Sequence, residues 1–104
     1  MKTIICMAGV CDFEFPPPYY LKSYNPDARP KAMEFGSAGE VRLYGQLSGL
    51  VVITPDRAKA QRFDDLGEAF AAWCAVSQSV PLRPDGNPNR PLTAFTIVTE
   101  QVES

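Results

Sequence analysis

TPDRAKAQRFDDLGEAFAAWCAVSQSVPLRPDGNPNRPLTAFTIV, residues 54–98, is the stretch that decides the fold. Its first half holds two helix starts in succession. Thr54 reads as an N-cap, with Pro55 at the first helical position and Asp56 in the first turn, opening a short helix through Ala58, Lys59 and Ala60. Asp65 reads as the cap of the main helix, and Glu68 three residues on completes a capping-box pattern. Leu66, Ala69, Phe70, Trp73 and Val76 or Ser77 recur at helical spacing and predict the core-facing stripe of a helix over 65–77. Pro81, Pro84, Pro88 and Pro91 turn the following residues into a loop with few free conformations, and Asp85-Gly86 is a turn signal inside it. From Leu92 to Val102 the chain is rich in Thr, Val, Ile and Phe, which is a strand composition.

Outward from that stretch the rest of the chain reads as strands joined by proline-rich connections. Residues 2–10 predict an N-terminal strand bounded by Gly9. Pro16, Pro17 and Pro18 remove three backbone donors, so the 13–18 segment is an extended connection that cannot sit mid-sheet. Tyr19 to Tyr24 predicts a short strand, and residues 25–39, with Pro26, Pro30, Gly36 and Gly39, a long loop. Glu40 to Tyr44 alternates as a half-buried strand does. Gly45 to Gly49 is a hairpin connection, and Leu50 to Ile53 is an apolar run that fits a strand covered on both faces. The expected architecture is a single α+β domain over residues 1–104. It has a mostly antiparallel sheet of four to five strands, one main helix (about 65–77) across one face, and long proline-rich loops at 13–18, 25–39 and 81–91. The second face of the sheet is expected to be partly solvated or covered by the 25–39 loop.

The chain has 104 residues, a formal net charge of −2 and no histidine. Near-neutral, unsegregated charge argues against generic nucleic-acid binding, which relies on clustered Lys and Arg. The missing histidine removes the commonest general base and metal ligand and excludes a Ser-His-Asp or Cys-His site. Cys6, Cys11 and Cys74 are too few for a tetrahedral zinc centre without it. Three cysteines and no secretory signal point to free thiols in a reducing compartment, although a Cys6–Cys11 bridge is conceivable. No run approaches the length of a membrane span. The expectation is a cytoplasmic protein that is not an enzyme and carries no cofactor or metal.

Residues 20–24 (Tyr-Leu-Lys-Ser-Tyr), Val51 to Thr54, Ala58, Ala60 and Phe63, Glu68, Ala69 and Trp73, and above all Arg83 to Phe95 make up a pattern. It resembles small uncharacterised proteins encoded in phages and prophages of proteobacteria. The resemblance implies a phage or prophage setting inside a bacterial host and brings no active residues with it.

Motifs that carry function can be weighed one by one. Pro16-Pro17-Pro18-Tyr19 matches a Pro-Pro-x-Tyr peptide ligand, but such short matches are common by chance, and a connection docked on its own protein by Phe13, Phe15 and Tyr20 is the favoured reading. Asp64, Asp65 and Glu68 are accounted for by capping. The 81–91 loop is the one segment rich in presentable polar groups, and its prolines lower the entropy lost on binding. Arg83, Asp85, Asn87, Asn89 and Arg90, with Tyr20 and Lys22, form the candidate interaction surface. For the loop residues the favoured reading is the plainer one, in which Asp85, Asn87 and Asn89 satisfy turn backbone and the arginines pair locally. The expected function is non-enzymatic binding of a host or phage macromolecule, with a protein partner favoured; inhibition of a bacterial defence complex is one form of it. The alternative is a nucleic-acid-associated accessory role using Arg57, Arg62, Arg83 and Arg90.

Overall fold

The computed structural model describes all residues except Met1, Cys11, Asp12, Phe15, Pro17 and Ser104, and omits the side chains of Phe13 and Ser37. A Cys6–Cys11 bridge and the docking of the proline run by Phe13 and Phe15 therefore lie outside the described residues. The strands are β1 (Lys2–Val10), β2 (Phe13–Glu14), β3 (Tyr20–Asn25), β4 (Glu34–Phe35), β5 (Val41–Tyr44), β6 (Leu50–Thr54) and β7 (Phe95–Val102). Among the described residues there is one helix, α1 (Leu66–Trp73), between β6 and β7, and 3-10 turns occupy Ser37–Gly39, Arg57–Lys59 and Pro91–Ala94.

All seven segments pair antiparallel in one sheet. β7 runs along the whole of β1, from Lys2 opposite Val102 to Val10 opposite Phe95. The other edge of β1 is shared. β2 takes its end at Gly9 and Val10, β3 touches it at Cys6 opposite Tyr20, and Phe63 bridges Thr3. From β3 the sheet continues through β6 and β5 to β4. It is thus six strands across, one or two more than the sequence led us to expect. The extra pieces are β2 and β4, two-residue strands inside segments that read as proline-rich connections. Segments so short pair because a neighbouring edge offers free backbone groups, not because of their own composition.

The α+β class holds, but two element boundaries are corrected. The main helix ends at Trp73, not near residue 77. The Cys74 amide still bonds the Phe70 carbonyl at 3.0 Å, but Ser77 is drawn away, its amide bonded to the Asn89 carbonyl at 2.9 Å and its hydroxyl to Asp27 at 3.0 Å. The last strand begins at Phe95, because Pro91 opens a 3-10 turn through Ala94. The first of the two helix starts is a single 3-10 turn capped by Asp56, whose carboxylate accepts the Ala58 amide at 3.0 Å. Thr54 ends β6, and its hydroxyl accepts the Asp56 amide at 3.1 Å. The second start is as expected: Asp65 is the N-cap of α1 and accepts the Glu68 amide at 2.8 Å.

The principal core lies between the sheet and α1 and gathers Ile5, Met7, Leu21, Val51, Ile53, Phe63, Ala69, Leu92 and Phe95. Residues 51–54 are all buried, as a strand covered on both faces requires. Ile4, Tyr20, Ala60 and Val102 form a smaller cluster on the opposite face, where the 3-10 turn after β6, rather than the 25–39 loop, supplies the cover. The predicted helix stripe is only partly inward. Ala69 is fully buried, and Ala72 and Trp73 pack on the core, whereas Leu66 and Phe70 are more than half exposed. Phe70 lies one residue, about 100° of rotation, beyond Ala69. The small Ala69 marks the closest approach to the sheet, and Phe70 is left on the flank.

Candidate functional site

The 81–91 loop is built from its own turn chemistry. Leu82 bridges Pro88, the Arg83 amide donates to the Asn87 carbonyl at 2.8 Å, and the Gly86 amide donates to the Arg83 carbonyl at 2.9 Å. Gly86 sits at a φ of 87°, in the left-handed region that glycine adopts at least cost. The Asp85 carboxylate accepts the Asn87 amide at 3.0 Å, and the bonds to Asn87 hold it below the usual carboxylate range. Asp85 and Asn87 are thus turn-forming groups.

Asn89 corrects the sequence reading outright, because it is buried. Its Nδ2 donates to Ser48 Oγ at 2.9 Å and to the Val80 carbonyl at 2.8 Å. It ties the loop to the β5–β6 turn from inside and presents little to solvent. Arg90 is exposed, but its Nη1 donates to the Cys74 carbonyl at 2.7 Å, which satisfies a carbonyl at the end of α1. Tyr20, also expected at the surface, is buried with Ile4 and Ala60. Lys22 pairs with Glu40 at 2.6 Å, and that contact holds the Glu40 carboxyl below its ordinary value. Of the seven candidates, Arg83 alone combines exposure with no hydrogen bond or ion pair from its side chain to the described residues.

Arg83 stands on the rim of a groove of about 510 Å3. The floor is apolar: Val10, Val51 and Phe95, at the end of the principal core. One wall is the β5–β6 turn with Tyr44, Gln46 and Leu47; the other is the 83–95 segment. The turn closes with the Gly45 amide on the Gly49 carbonyl at 3.0 Å. Gly49 has a φ of 111°, and a Cβ there would stand 2.7 Å from Pro91 Cβ, so glycine is needed where the two walls meet. Among the described residues, Arg83 and Arg90 are the only charged ones lining the groove.

Sequence reasoning located one wall and missed the other. Gly45 to Gly49 was legible as a hairpin turn, but nothing local said that it would stand opposite the 81–91 loop. That juxtaposition depends on Asn89 reaching Ser48, a contact 41 residues apart in sequence.

The four arginines of the nucleic-acid reading do not form one patch. Arg57 pairs with Glu100 at 3.6 Å on the face of the sheet that carries Ile4 and Cys6, and Arg62 folds onto the Ala58 carbonyl in the same segment. Arg83 and Arg90 belong to the helix face. Among the described residues no group of three His, Cys, Asp or Glu side chains is placed to hold a metal ion, and no helix is long and apolar enough to cross a membrane. No protein-family model, curated protein or solved structure matches the chain.

Proposed function

We propose that this chain is a non-enzymatic binding protein of the phage or prophage kind, acting in the cytoplasm of a bacterial host. It holds a protein partner through the groove between the β5–β6 turn and the 83–95 segment. The observation that carries this reading is the groove's composition, an apolar floor beneath two arginines with no carboxylate among the described lining residues. An apolar side chain of the partner fills the floor, and a neighbouring carboxylate meets the fork of Arg83, which offers paired N–H donors in one plane. The prolines around Arg83 hold the loop in few conformations, so little order is gained on binding. A protein is favoured over nucleic acid because the floor has no use for a phosphate backbone and because Arg57 and Arg62 are engaged on another face. Blocking a bacterial defence complex is one task such a groove would serve.

The experiment is capture of a partner from bacterial lysate, followed by titration of the purified pair with wild type, Arg83→Ala and Tyr44→Ala. A loss of about 1 kcal/mol or more at Arg83 with unchanged melting temperature supports the reading. Affinity that is indifferent to Arg83 and to Tyr44 removes the groove from consideration. Affinity that falls steeply with salt, as release of phosphate counterions requires, favours the nucleic-acid alternative instead. Arg90→Ala is a poorer probe, because it also uncaps α1.

A further inference from the structure

The two edges of the sheet are built differently. At one end β4 is two residues long, and a 3-10 turn with Ala38 in the left-handed region follows it after Gly36. Such a short, abruptly ended edge offers almost nothing to pair with. At the other end β7 is eight residues long and, among the described residues, pairs only with β1. It contains no proline and no glycine. The one irregularity in the β1–β7 ladder, between Met7 and Gly9, places the extra residue on β1 and leaves β7 regular. Its single charge, Glu100, is drawn onto the sheet face by Arg57 and by the Cys6 thiol at 3.2 Å, so it does not guard the edge. Val98, in the middle of the strand, is 56% exposed. The devices by which monomeric sheet proteins protect an edge are present at β4 and missing at β7.

We propose that β7 is a self-association edge: two copies of this chain pair their Phe95–Val102 strands antiparallel about a two-fold axis at Val98. The residue pattern selects a second copy as the occupant. A two-fold at Val98 sets that side chain beside its own counterpart, an apolar pair of the kind that stabilises neighbouring strands. It sets Thr96 opposite the partner's Glu100, where a hydroxyl can donate to a carboxylate, and Ile97 opposite the partner's Thr99. No like charges face each other directly. Directly opposed residues of an antiparallel pair share a face, so both helices lie on the same side of the joined sheet. Such an isologous contact is the commonest way that identical chains close.

The test uses the full chain, by sedimentation velocity from micromolar to sub-millimolar concentration. The expected result is a reversible dimer that Val98→Lys weakens at least about tenfold by opposing two charges on the axis. Phe35→Ser, on the β4 edge, should leave it unchanged. Hydrogen exchange on the wild type supplies a readout that needs no variant: amides of residues 96–100 gain protection as concentration rises, and those of β4 do not. A wild type that stays monomeric throughout overturns the proposal. So does a dimer that survives Val98→Lys, one that Phe35→Ser abolishes, or one that forms without added protection at 96–100.

Discussion

Asp27 Oδ1 accepts the backbone N–H of Ser79 at 2.9 Å, closing a contact between residues 52 apart in sequence. The same oxygen accepts the Gln78 amide at 2.6 Å and the Ser77 hydroxyl at 3.0 Å. One carboxylate thus gathers the donors of the turn that follows α1 and fixes where the 81–91 loop departs. These bonds, that from the Ser79 amide foremost, hold the Asp27 carboxyl below its ordinary 3.8. A carboxyl whose value is lowered by folding stabilises the fold above its unfolded value and loses that contribution as pH falls through the folded one. We expect Asp27→Ala to lower the melting temperature at neutral pH, and the gap from wild type to close as the solution is taken below pH 3.8. Melting curves for the two proteins over that range are the check; a gap that persists in acid would mean that the charge is not what holds the turn.

Asn89→Ala is expected to cost about 1–3 kcal/mol, because it leaves the Val80 carbonyl and the Ser48 hydroxyl short of a donor inside the protein. Urea denaturation measures it. A cost near zero would show that water replaces the amide and that the junction between loop and β5–β6 turn is looser than described.

The orientation of α1 gives an order of effects. Leu92 is fully buried beneath the helix, and Leu92→Ala should cost about 2–5 kcal/mol. Trp73 is half-buried, with its indole N–H on the Phe95 carbonyl at 3.4 Å, and Trp73→Ala should cost about 2 kcal/mol, below the about 3–5 usual for a fully buried Trp. Phe70→Ala, at an exposed position, should stay under about 1 kcal/mol. Asp65→Ala, which removes the cap, should cost about 0.5–2 kcal/mol. Finding Phe70 more costly than Trp73 in chemical denaturation would mean that the helix is rotated from its described position.

At alkaline pH the signs reverse. Burial first, then the hydrogen bond to Glu100, pushes the Cys6 thiol from 9.0 up to about 12, and burial likewise pushes the Tyr24 hydroxyl from 10.0 to about 12. The folded chain keeps both protons while the unfolded chain releases them. The stability these groups contribute is therefore complete below pH 9 and lost as pH rises from 9 toward 12. Melting temperature should decline across that window. Native Cys6 should react slowly with iodoacetamide at pH 8, because the thiolate is the nucleophile, and Glu100→Gln should speed the reaction by removing an anion that disfavours it. Mass-spectrometric mapping follows the modification; Cys6 labelling as fast in the native protein as in urea would contradict the assignment.

The sequence by itself determined the features that rest on local backbone preference and on composition. The Asp65 cap, the Gly45–Gly49 turn, the doubly covered run of β6 and the α+β class each follow from a few neighbouring residues with strong dihedral or burial preferences. The absence of histidine chemistry is a matter of counting. What only the tertiary structure decided depends on partners far along the chain. β2 and β4 are too short to carry a periodicity, and they exist because β1 and β5 present free backbone groups to them. An eight-residue helix with apolar residues on several sides can seat more than one of them inward, and the close approach allowed by Ala69 chose the face. Asn89 and Tyr20 read as surface groups because polarity and ring chemistry suggest exposure, yet Ser48 and Val80 pull one inside and Ile4 and Ala60 enclose the other. Arg83 stands at the rim of the groove because the loop is tied to the β5–β6 turn through Asn89, while its guanidinium, near enough to Asp85 to favour that carboxylate, makes no hydrogen bond or ion pair among the described residues.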